Sequence, residues 1–364
     1  MSNKNDSKTK AFGTVKNNKG FKSSKSRQKL VIAIFVVIVL ILAVLATFII
    51  AKVIDKLNTE QPPVVPQIPD NTTTKPYGND DVHVGNLLVV DKTHSFRYDL
   101  YDWDNITSED VKNQSKLPTD LINVWTFKNN PANNAETKIT VGDKTFPTYE
   151  LGSLATSIVL EETAFHAFNK MILDYCGTLD LSNHEEGSAS GLNISWGWSN
   201  STELLEDLKT SPAFYDHATG LTLNLRYSGV TPDPIMESDL KSDFKWIYDN
   251  AHKYGFIIRF PDSCGCDRDF DEANTSVRMR YVGYEHAYYI KTNGICLEEY
   301  IALLRDHHKA SGTHLTFTAD NGKSYEVYYV SYSGEPTSVL VPKNEEYYVS
   351  GDNLNSGFIV TVTK

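Results

Sequence analysis

A regular alternation of apolar and polar residues runs from Leu221 to Arg226, with a leucine at every second position. A period of two is typical of a strand that buries one face and leaves the other face polar. A turn at Thr219–Gly220 comes just before this run. The pattern therefore predicts a half-buried strand, with His217 at the end where the chain enters it and Asn224 on its polar face.

Three stretches place apolar residues three or four positions apart and predict helices that pack on a core. They are Ser157–Tyr175, Asp239–Lys253 and Leu297–Leu304. Gly255 follows the second stretch at the position of a C-terminal glycine cap. The apolar run Phe256–Phe260 then predicts a buried, central strand.

Shorter apolar runs lie on either side of these elements. Residues 80–148 form an N-terminal segment in which Asn86–Val90, Ile122–Phe127 and Lys138–Val141 are separated by Asn, Asp and Pro. These runs predict short strands and loops. Alternating runs and turn residues in 307–364 predict an antiparallel β appendix at the C-terminus.

The N-terminal part has a different character from the rest of the chain. Residues 1–30 are basic and polar, 31–54 are mostly apolar, and 55–79 are rich in proline. The uncharged run Val31–Ala51 has the length of about 20 residues that a membrane helix needs, whereas the apolar region of a signal peptide is shorter. These segments predict a cytoplasmic tail, a single-pass membrane anchor and an extended stalk, with the C-terminal domain extracellular.

The charge distribution excludes one class of function. The whole chain carries a net charge of −11, and residues 1–30 contribute +8, so that the rest of the chain carries −19. Binding to nucleic acid phosphates requires a basic surface. The acidic C-terminal part therefore argues against a nucleic-acid partner.

The four cysteines, Cys176, Cys264, Cys266 and Cys296, all follow the predicted anchor, in a compartment where disulfides form. Cys264 and Cys266 are separated by one glycine and are not expected to bond to each other without strain. Cys176 and Cys296 are then each expected to pair with one of them. Zinc binding by the Cys-Gly-Cys segment and free thiols remain alternatives.

The residues around His217 resemble the zinc motif of the VanY-type D,D-carboxypeptidases, Ser-x-His-x-x-Gly-x-Ala-x-Asp. Tyr215, His217, Gly220, Thr222 and Asn224 occupy the five defined positions in that order. The string Asn250–Pro261 and the segment Arg280–Gly283 are also similar to the family. The resemblance covers roughly Tyr149–Asp306 and implies an α+β fold of the hedgehog and D,D-peptidase type. In such a fold, residues 149–306 form a small antiparallel sheet flanked by helices.

The positions that carry chemistry depart from the family pattern, although the framework around them matches. Asn224 replaces the Asp ligand of zinc, and Arg278 replaces the second His ligand. Thr275 stands at the position of the Glu that acts as general base. Ser199 stands where the family has an Arg that holds the carboxylate of the substrate. His217 is the single metal ligand that this comparison retains.

These departures favour a pseudopeptidase without zinc, and we expect no cofactor. It would bind peptidoglycan stem peptides through Arg278, Ser199 and Tyr215, or regulate cell-wall enzymes. The alternative is an active D,D- or L,D-carboxypeptidase that trims terminal D-alanine. That enzyme would need a rebuilt zinc site, for which the acidic residues between Asp267 and Glu272 are candidates.

Overall fold

The structure of the chain is a computed structural model. It describes residues 71–91, 94, 121–152, 156, 158–199, 212–228, 235–263 and 277–364. The chain divides into two compact units, Met1–Val64 and Val65–Lys364, and every described residue belongs to the second. The predicted basic tail, the predicted anchor and most of the predicted stalk lie outside the described residues.

The described residues form the following strands in chain order: β1 (Thr72–Tyr77), β2 (Leu121–Asn123), β3 (Lys138–Val141), β4 (Lys144–Pro147), β5 (Glu150–Leu151), β6 (Ile158–Glu161), β7 (Leu192–Trp196), β8 (Trp198–Ser199), β9 (Thr222–Tyr227), β10 (Phe256–Ile258), β11 (Arg278–Tyr281), β12 (Leu315–Thr318), β13 (Ser324–Ser331), β14 (Thr337–Pro342), β15 (Glu346–Gly351) and β16 (Gly357–Thr363). The α-helices are α1 (Val124–Asn129), α2 (Asn134–Thr137), α3 (Glu162–Cys176), α4 (Glu237–Ser242), α5 (Lys245–Asn250), α6 (Tyr284–Asn293) and α7 (Leu297–His307).

A five-stranded sheet in the order β10-β11-β9-β7-β5 carries the residues singled out above. Its pairs are antiparallel except for the parallel pair of β5 and β7. The alternation of faces in β9 is present, because Leu223 and Leu225 join the buried core while Asn224 lies on the opposite face. The prediction of a half-buried strand is wrong, however, because Thr222 and Asn224 on the polar face are buried as well. The predicted α+β architecture with a small, mainly antiparallel sheet is confirmed.

Helix α3 covers the apolar face of this sheet. It begins after Glu161, whose carboxylate accepts a hydrogen bond from the backbone N–H of Ala164 at 2.8 Å. Its apolar residues recur at helical spacing, and Phe165, Phe168 and Met171 are fully buried in the core. The predicted helix is therefore present, but its first residues belong to strand β6 instead.

The segment around Gly255 is partly as predicted. Gly255 has a φ of +82°, and a Cβ there would lie 2.5 Å from a ring carbon of Tyr281, so that only glycine fits this cap. The predicted single helix is instead divided into α4, α5 and a 3₁₀ turn at Ala251–Tyr254. The predicted central strand is also wrong in its position, because β10 is short and lies at the edge of the sheet.

The N-terminal segment contains one further correction. The run Ile122–Phe127 is not a single strand, because α1 begins at Val124. Asn123 caps that helix by accepting a hydrogen bond from the N–H of Thr126 at 2.8 Å, and this local cap outweighs the strand preference of the apolar residues. The predicted strand Lys138–Val141 is present as β3.

The C-terminal residues form the predicted antiparallel structure. Strands β12, β13, β16 and β15 make one sheet, and β14 pairs with β1, at the end of the predicted stalk. This sheet shares a hydrophobic cluster with the preceding helices, in which Leu297 and Leu304 pack with Val327, Tyr329 and Ile359. The C-terminal strands are therefore continuous with the rest of this unit.

His286 also links the helices to the C-terminal sheet. Its Nδ1 lies 2.8 Å from the hydroxyl of Tyr300 in α7, and its Nε2 lies 3.1 Å from the hydroxyl of Thr361 in β16. Burial lowers the pKa of His286 to about 4, so that the ring is neutral at neutral pH. The imidazole thus joins α6 to both neighbours without burying a charge.

The predicted pairing of Cys176 is wrong. Cys176 is a free thiol at the end of α3, on the face of the helix that packs in the core. Its Sγ lies 3.7 Å from the carbonyl oxygen of Thr148. Burial raises the pKa of this thiol to about 12. Cys264 and Cys266 lie outside the described residues, and no disulfide joins two cysteines of the described part. The pairing of Cys296 stays a prediction.

The predicted localisation also needs correction. No helix within the described ranges combines the length and the apolar character that crossing a bilayer requires. The segment 31–54, on which the prediction of a single-pass membrane protein depended, is not among those ranges. The structure therefore does not support that assignment.

Candidate functional site

His217 and Asn224 meet at the entrance to β9, as the strand pattern predicts. His217 lies on the 3₁₀ segment Pro212–Thr219 and is fully buried. Gly220 turns the chain into the strand with a φ of +71°, and a Cβ there would lie 3.0 Å from Leu121. The Nε2 atom of His217 lies 2.8 Å from the Oδ1 atom of Asn224. Because an amide oxygen only accepts hydrogen bonds, Nε2 carries the proton in this arrangement.

Arg278 lies directly beside this pair. It is the first residue of β11 and stands opposite Asn224 in the strand register. Its side chain is only 3 % exposed. Burial lowers the pKa of Arg278 to about 10, which still leaves the guanidinium charged at neutral pH. A fixed positive charge therefore occupies the polar face of the sheet next to His217.

Asp216, the neighbour of His217, anchors a buried network of charges. Its Oδ1 accepts hydrogen bonds from Nη1 of Arg280 at 2.5 Å and from Nε of Arg259 at 3.3 Å, and its Oδ2 accepts one from the hydroxyl of Thr222. Burial by itself disfavours the ionised carboxylate, but the charges of Arg280 and Arg259 outweigh it and lower the pKa of Asp216 to about 2. The network fixes the backbone that carries His217.

The backbone of residues 86–90 also binds the arginines of this network. Arg280 donates from Nη2 to the carbonyl oxygen of Leu88 at 3.1 Å, and Arg259 donates from Nη2 to that of Val90 at 3.0 Å. The same segment is held by the C-terminal sheet, where Asn353 donates to the carbonyl oxygen of Val89 at 2.8 Å. The predicted strand Asn86–Val90 is an extended segment whose hydrogen bonds go to side chains and loops.

Several charged side chains are buried around the site. Three guanidinium groups are buried there, those of Arg259, Arg278 and Arg280, against the carboxylates of Asp216 and Glu298. Glu298 lies 2.6 Å from Arg259 and is itself about a quarter exposed. In the described part of the site, two carboxylates thus face Arg259 and Arg280, and Arg278 places a third guanidinium nearby.

The chain is similar to known carboxypeptidases. No family model matches the chain. It is 27% identical over 305 residues to a D-alanyl-D-alanine carboxypeptidase of Enterococcus faecium, with 80% of both proteins covered. It is 37% identical over 92 residues to the putative carboxypeptidase YodJ of Bacillus subtilis, covering 24% of this chain and 32% of YodJ.

A solved structure has the same fold. The vancomycin resistance D,D-dipeptidase VanXYg, in complex with a D-Ala-D-Ala phosphinate analog, matches with a TM-score of 0.51 and 20% identity, covering 80% of this chain and 99% of that chain. Homology to D-alanyl-D-alanine carboxypeptidases supports membership of the VanY-type family. That Asn224 and Arg278 stand at two zinc-ligand positions of that family stays a prediction from the sequence motif.

The zinc that membership of the VanY-type family implies does not fit those residues of the site that the structure describes. Zinc is held by deprotonated nitrogen, sulfur or carboxylate ligands. Here Nε2 of His217 lies 2.8 Å from Oδ1 of Asn224, and Arg278, which the sequence motif aligns with the third zinc ligand, brings a guanidinium beside this pair. Within the described ranges, no three His, Cys, Asp or Glu side chains are placed to hold a metal ion.

The structure tests only some of the predicted site residues. It brings His217, Asn224 and Arg278 together, whereas Thr275 and the acidic residues 267–272 lie outside the described residues. The backbone of Ser199 belongs to β8, and that of Tyr215 to the 3₁₀ segment before β9, but their side chains are not described. Their predicted contacts with a ligand stay predictions.

The sequence patterns did not reveal the roles of Asp216, Arg259 and Arg280. One signal for them was present, because Arg259 interrupts the apolar run Phe256–Phe260. An arginine in a buried strand needs a buried partner. The identity of that partner, Asp216, depends on the pairing of β9 and β11 and could not be read from the spacing.

Proposed function

We propose that this VanY-type chain binds the carboxylate end of peptidoglycan stem peptides without cleaving them. The observation that carries the proposal is Arg278, a buried guanidinium at the position of a zinc ligand and opposite Asn224. The similarity to D-alanyl-D-alanine carboxypeptidases supports a peptide that ends in D-alanine as the ligand class. The chain would then act as a binding module that recognises the C-terminal end of a peptide substrate or product.

The chemistry of Arg278 suits a terminal carboxylate. A guanidinium donates two parallel hydrogen bonds to a carboxylate, which is a geometry that lysine or serine cannot supply. The interaction is stronger in a buried site than in water because screening is weaker there. Arg278 would take over the task of the family arginine that Ser199 replaces.

The absence of cleavage follows from the same residues. Hydrolysis in this family needs a metal-bound water and a carboxylate that accepts its proton. Thr275 stands at the position of that carboxylate, and a hydroxyl is not a base near neutral pH. His217, protonated on Nε2 and bonded to Asn224, is positioned by its neighbours and contributes a polar wall.

The second candidate is an active carboxypeptidase, and the match over 80% of the Enterococcus faecium enzyme is the observation that favours it. This reading requires metal ligands from outside the described residues, such as Asp267, Asp269, Asp271 or Glu272. It also requires a divalent ion to tolerate the charge of Arg278. The binding function needs neither condition.

Replacing Arg278 by Ala is expected to weaken the binding of a stem pentapeptide that ends in D-Ala-D-Ala by about 10- to 100-fold, since a hydrogen bond to a charged group contributes about 1.5–3 kcal/mol. Calorimetric titration of the full chain measures this. Amidation of the peptide's C-terminus is expected to reproduce the loss with the wild-type chain, and Arg278→Lys is expected to recover only part of the affinity. Equal affinity of the wild-type and Arg278→Ala chains would contradict the proposal.

A further inference from the structure

The extended segment 86–90 lies between the C-terminal sheet and the buried arginines of the site. In an extended chain, the backbone groups of successive residues point alternately to opposite sides. On one side, the carbonyl oxygens of Leu88 and Val90 accept hydrogen bonds from guanidinium groups at 3.1 and 3.0 Å. The carbonyl oxygen of Asn86 points the same way and lies 3.4 Å from Nη2 of Arg280. This side of the segment therefore serves the arginines.

The other side of the segment is bound by β15 and by the loop that follows it. The N–H of Leu87 donates to the hydroxyl of Ser350 at 3.0 Å. The N–H of Val89 donates to the carbonyl oxygen of Asp352, also at 3.0 Å. The carbonyl oxygen of Val89 accepts a hydrogen bond from Nδ2 of Asn353 at 2.8 Å. One short segment thus contacts the arginines through one side and the C-terminal sheet through the other.

Asn353 makes several contacts at this junction. Its φ of +60° lies in the left-handed region, which asparagine adopts more readily than most residues. Its backbone N–H donates to the carbonyl oxygen of Val82 at 2.9 Å, and its Oδ1 lies 2.7 Å from Nδ1 of His83. The side chain is buried. Both ends of its amide group therefore hold the chain that leads into and through the segment 86–90.

The buried arginines need the carbonyl groups of this segment. A guanidinium group carries more N–H donors than one carboxylate can accept, and a buried donor without an acceptor is unfavourable. Asp216 accepts from both Arg259 and Arg280, and the carbonyl groups of residues 86–90 accept from further N–H groups of the same two side chains. A shift of the segment would therefore force both guanidinium groups to move.

We propose that the C-terminal sheet positions the binding site and that Asn353 is the positioning residue through which it acts. Asn353 holds residues 86–90, and the carbonyl groups of that segment orient Arg259 and Arg280. These arginines in turn fix the carboxylate next to His217. The effect of Asn353 on peptide affinity rests on the function proposed above, whereas its effect on the arginines does not.

The test compares Asn353→Gly with Asn355→Gly in the isotope-labelled full chain. Both positions lie in the same loop and have a positive φ, +60° and +52°, which glycine adopts without strain. Asn353→Gly removes the side chain that binds Val89, whereas Asn355→Gly removes an exposed side chain and is the matched control. The comparison therefore separates the contacts of Asn353 from the conformation of the loop.

NMR spectra of the chain without peptide measure the positions of the arginines. Asn353→Gly is expected to shift the Nε–H signals of Arg259 and Arg280 and to speed up the exchange of these protons with water, whereas the control leaves both unchanged. A role of Asn353 in folding alone would lower the stability of the chain without moving these signals of the folded state. Ser350→Ala removes the hydroxyl that binds the same segment, and it is expected to shift the same signals by a smaller amount.

Calorimetric titration with a stem pentapeptide that ends in D-Ala-D-Ala measures the consequence for binding. Asn353→Gly is expected to weaken binding about 3- to 10-fold, the range for the loss of one neutral hydrogen bond, because the displaced arginines no longer fix the site. The Asn355→Gly control is expected to bind like the wild type. Ser350→Ala provides the same measurement if Asn353→Gly does not fold.

Three results would overturn the proposal. The first is unchanged arginine signals in the folded variants at Asn353 and Ser350. The second is an equal shift of these signals in Asn355→Gly, since the arginines would then respond to any change in the loop. The third is shifted arginine signals with unchanged peptide affinity. A wild-type chain that binds no stem peptide would instead refute the proposed role of Arg278, and the arginine signals would still decide the role of Asn353.

Discussion

Replacing Asp216 by Asn is expected to lower the free energy of unfolding by about 3–5 kcal/mol, because it breaks a buried ion pair from one side. Asn has nearly the shape of Asp but no charge. The guanidinium groups of Arg259 and Arg280 would then remain buried with Glu298 as their nearest carboxylate. The loss of charge, rather than the loss of packing, causes the destabilisation.

Urea unfolding followed by circular dichroism measures this change. Asp306→Asn is the matched control, because Asp306 also pairs with an arginine, Arg305, at 2.9 Å, but at the exposed surface. Exposed pairs of this kind contribute little, so the control is expected to unfold like the wild type. Equal stability of Asp216→Asn and Asp306→Asn would show that the buried network does not hold the fold together.

The stability of the Asp216→Asn variant is also expected to depend on pH differently from that of the wild type. The pKa of Asp216 is lowered from 3.8 to about 2 in the folded chain, so that the folded state favours the ionised form. The stabilisation is therefore fully present above pH 3.8 and is lost as the pH falls towards 2. Asp216→Asn is expected to lack this contribution, which makes its stability less dependent on pH in that interval.

Restoring the two missing ligand positions is expected to create zinc affinity. Asn224→Asp together with Arg278→His would supply a carboxylate and a second imidazole beside His217 and would remove the buried cation. Three ligands and an open position are the usual composition of a catalytic zinc site. We expect the affinity for zinc to rise by at least about a thousandfold, equivalent to roughly 4 kcal/mol.

Competition with a zinc-binding dye measures the affinity. Asn224→Asp alone is the matched control and is expected to gain little, because Arg278 lies opposite it and would pair with the new carboxylate. Adding Thr275→Glu to the double variant is expected to bring release of D-alanine from a stem pentapeptide. If the double variant bound zinc no better than the wild type, the alignment of Asn224 and Arg278 with the zinc ligands would be wrong.

Local sequence patterns predicted most of the individual elements. The leucines of β9, the apolar stripe of α3 and the glycine at position 255 each depend on neighbours in the sequence, and each was identified. The boundaries at Val124 and between α4 and α5 were not predicted. A helix cap in the first case, and a short interruption of the helix in the second, outweigh the strand or helix preference of the residues around them. The edge position of β10 depends on strand order, which spacing does not reveal.

The sequence motif predicted the site residues that it aligns. It did not predict the contacts between segments that are far apart in the sequence. The motif placed His217, Asn224 and Arg278 together, and the strand register confirms this. The contacts of Arg259 and Arg280 with residues 86–90 join positions more than a hundred residues apart in the sequence. No local pattern encodes that arrangement, because either guanidinium could in principle pair with any buried carboxylate or carbonyl group.

The zinc content of the purified full chain tests the absence of a metal centre most directly. After incubation with excess zinc and extensive dialysis, elemental mass spectrometry is expected to find far less than one ion per chain. The same sample is expected to release no D-alanine from a stem pentapeptide while still binding it. One tightly held ion per chain, together with release of D-alanine, would contradict the proposed binding function and would support the carboxypeptidase.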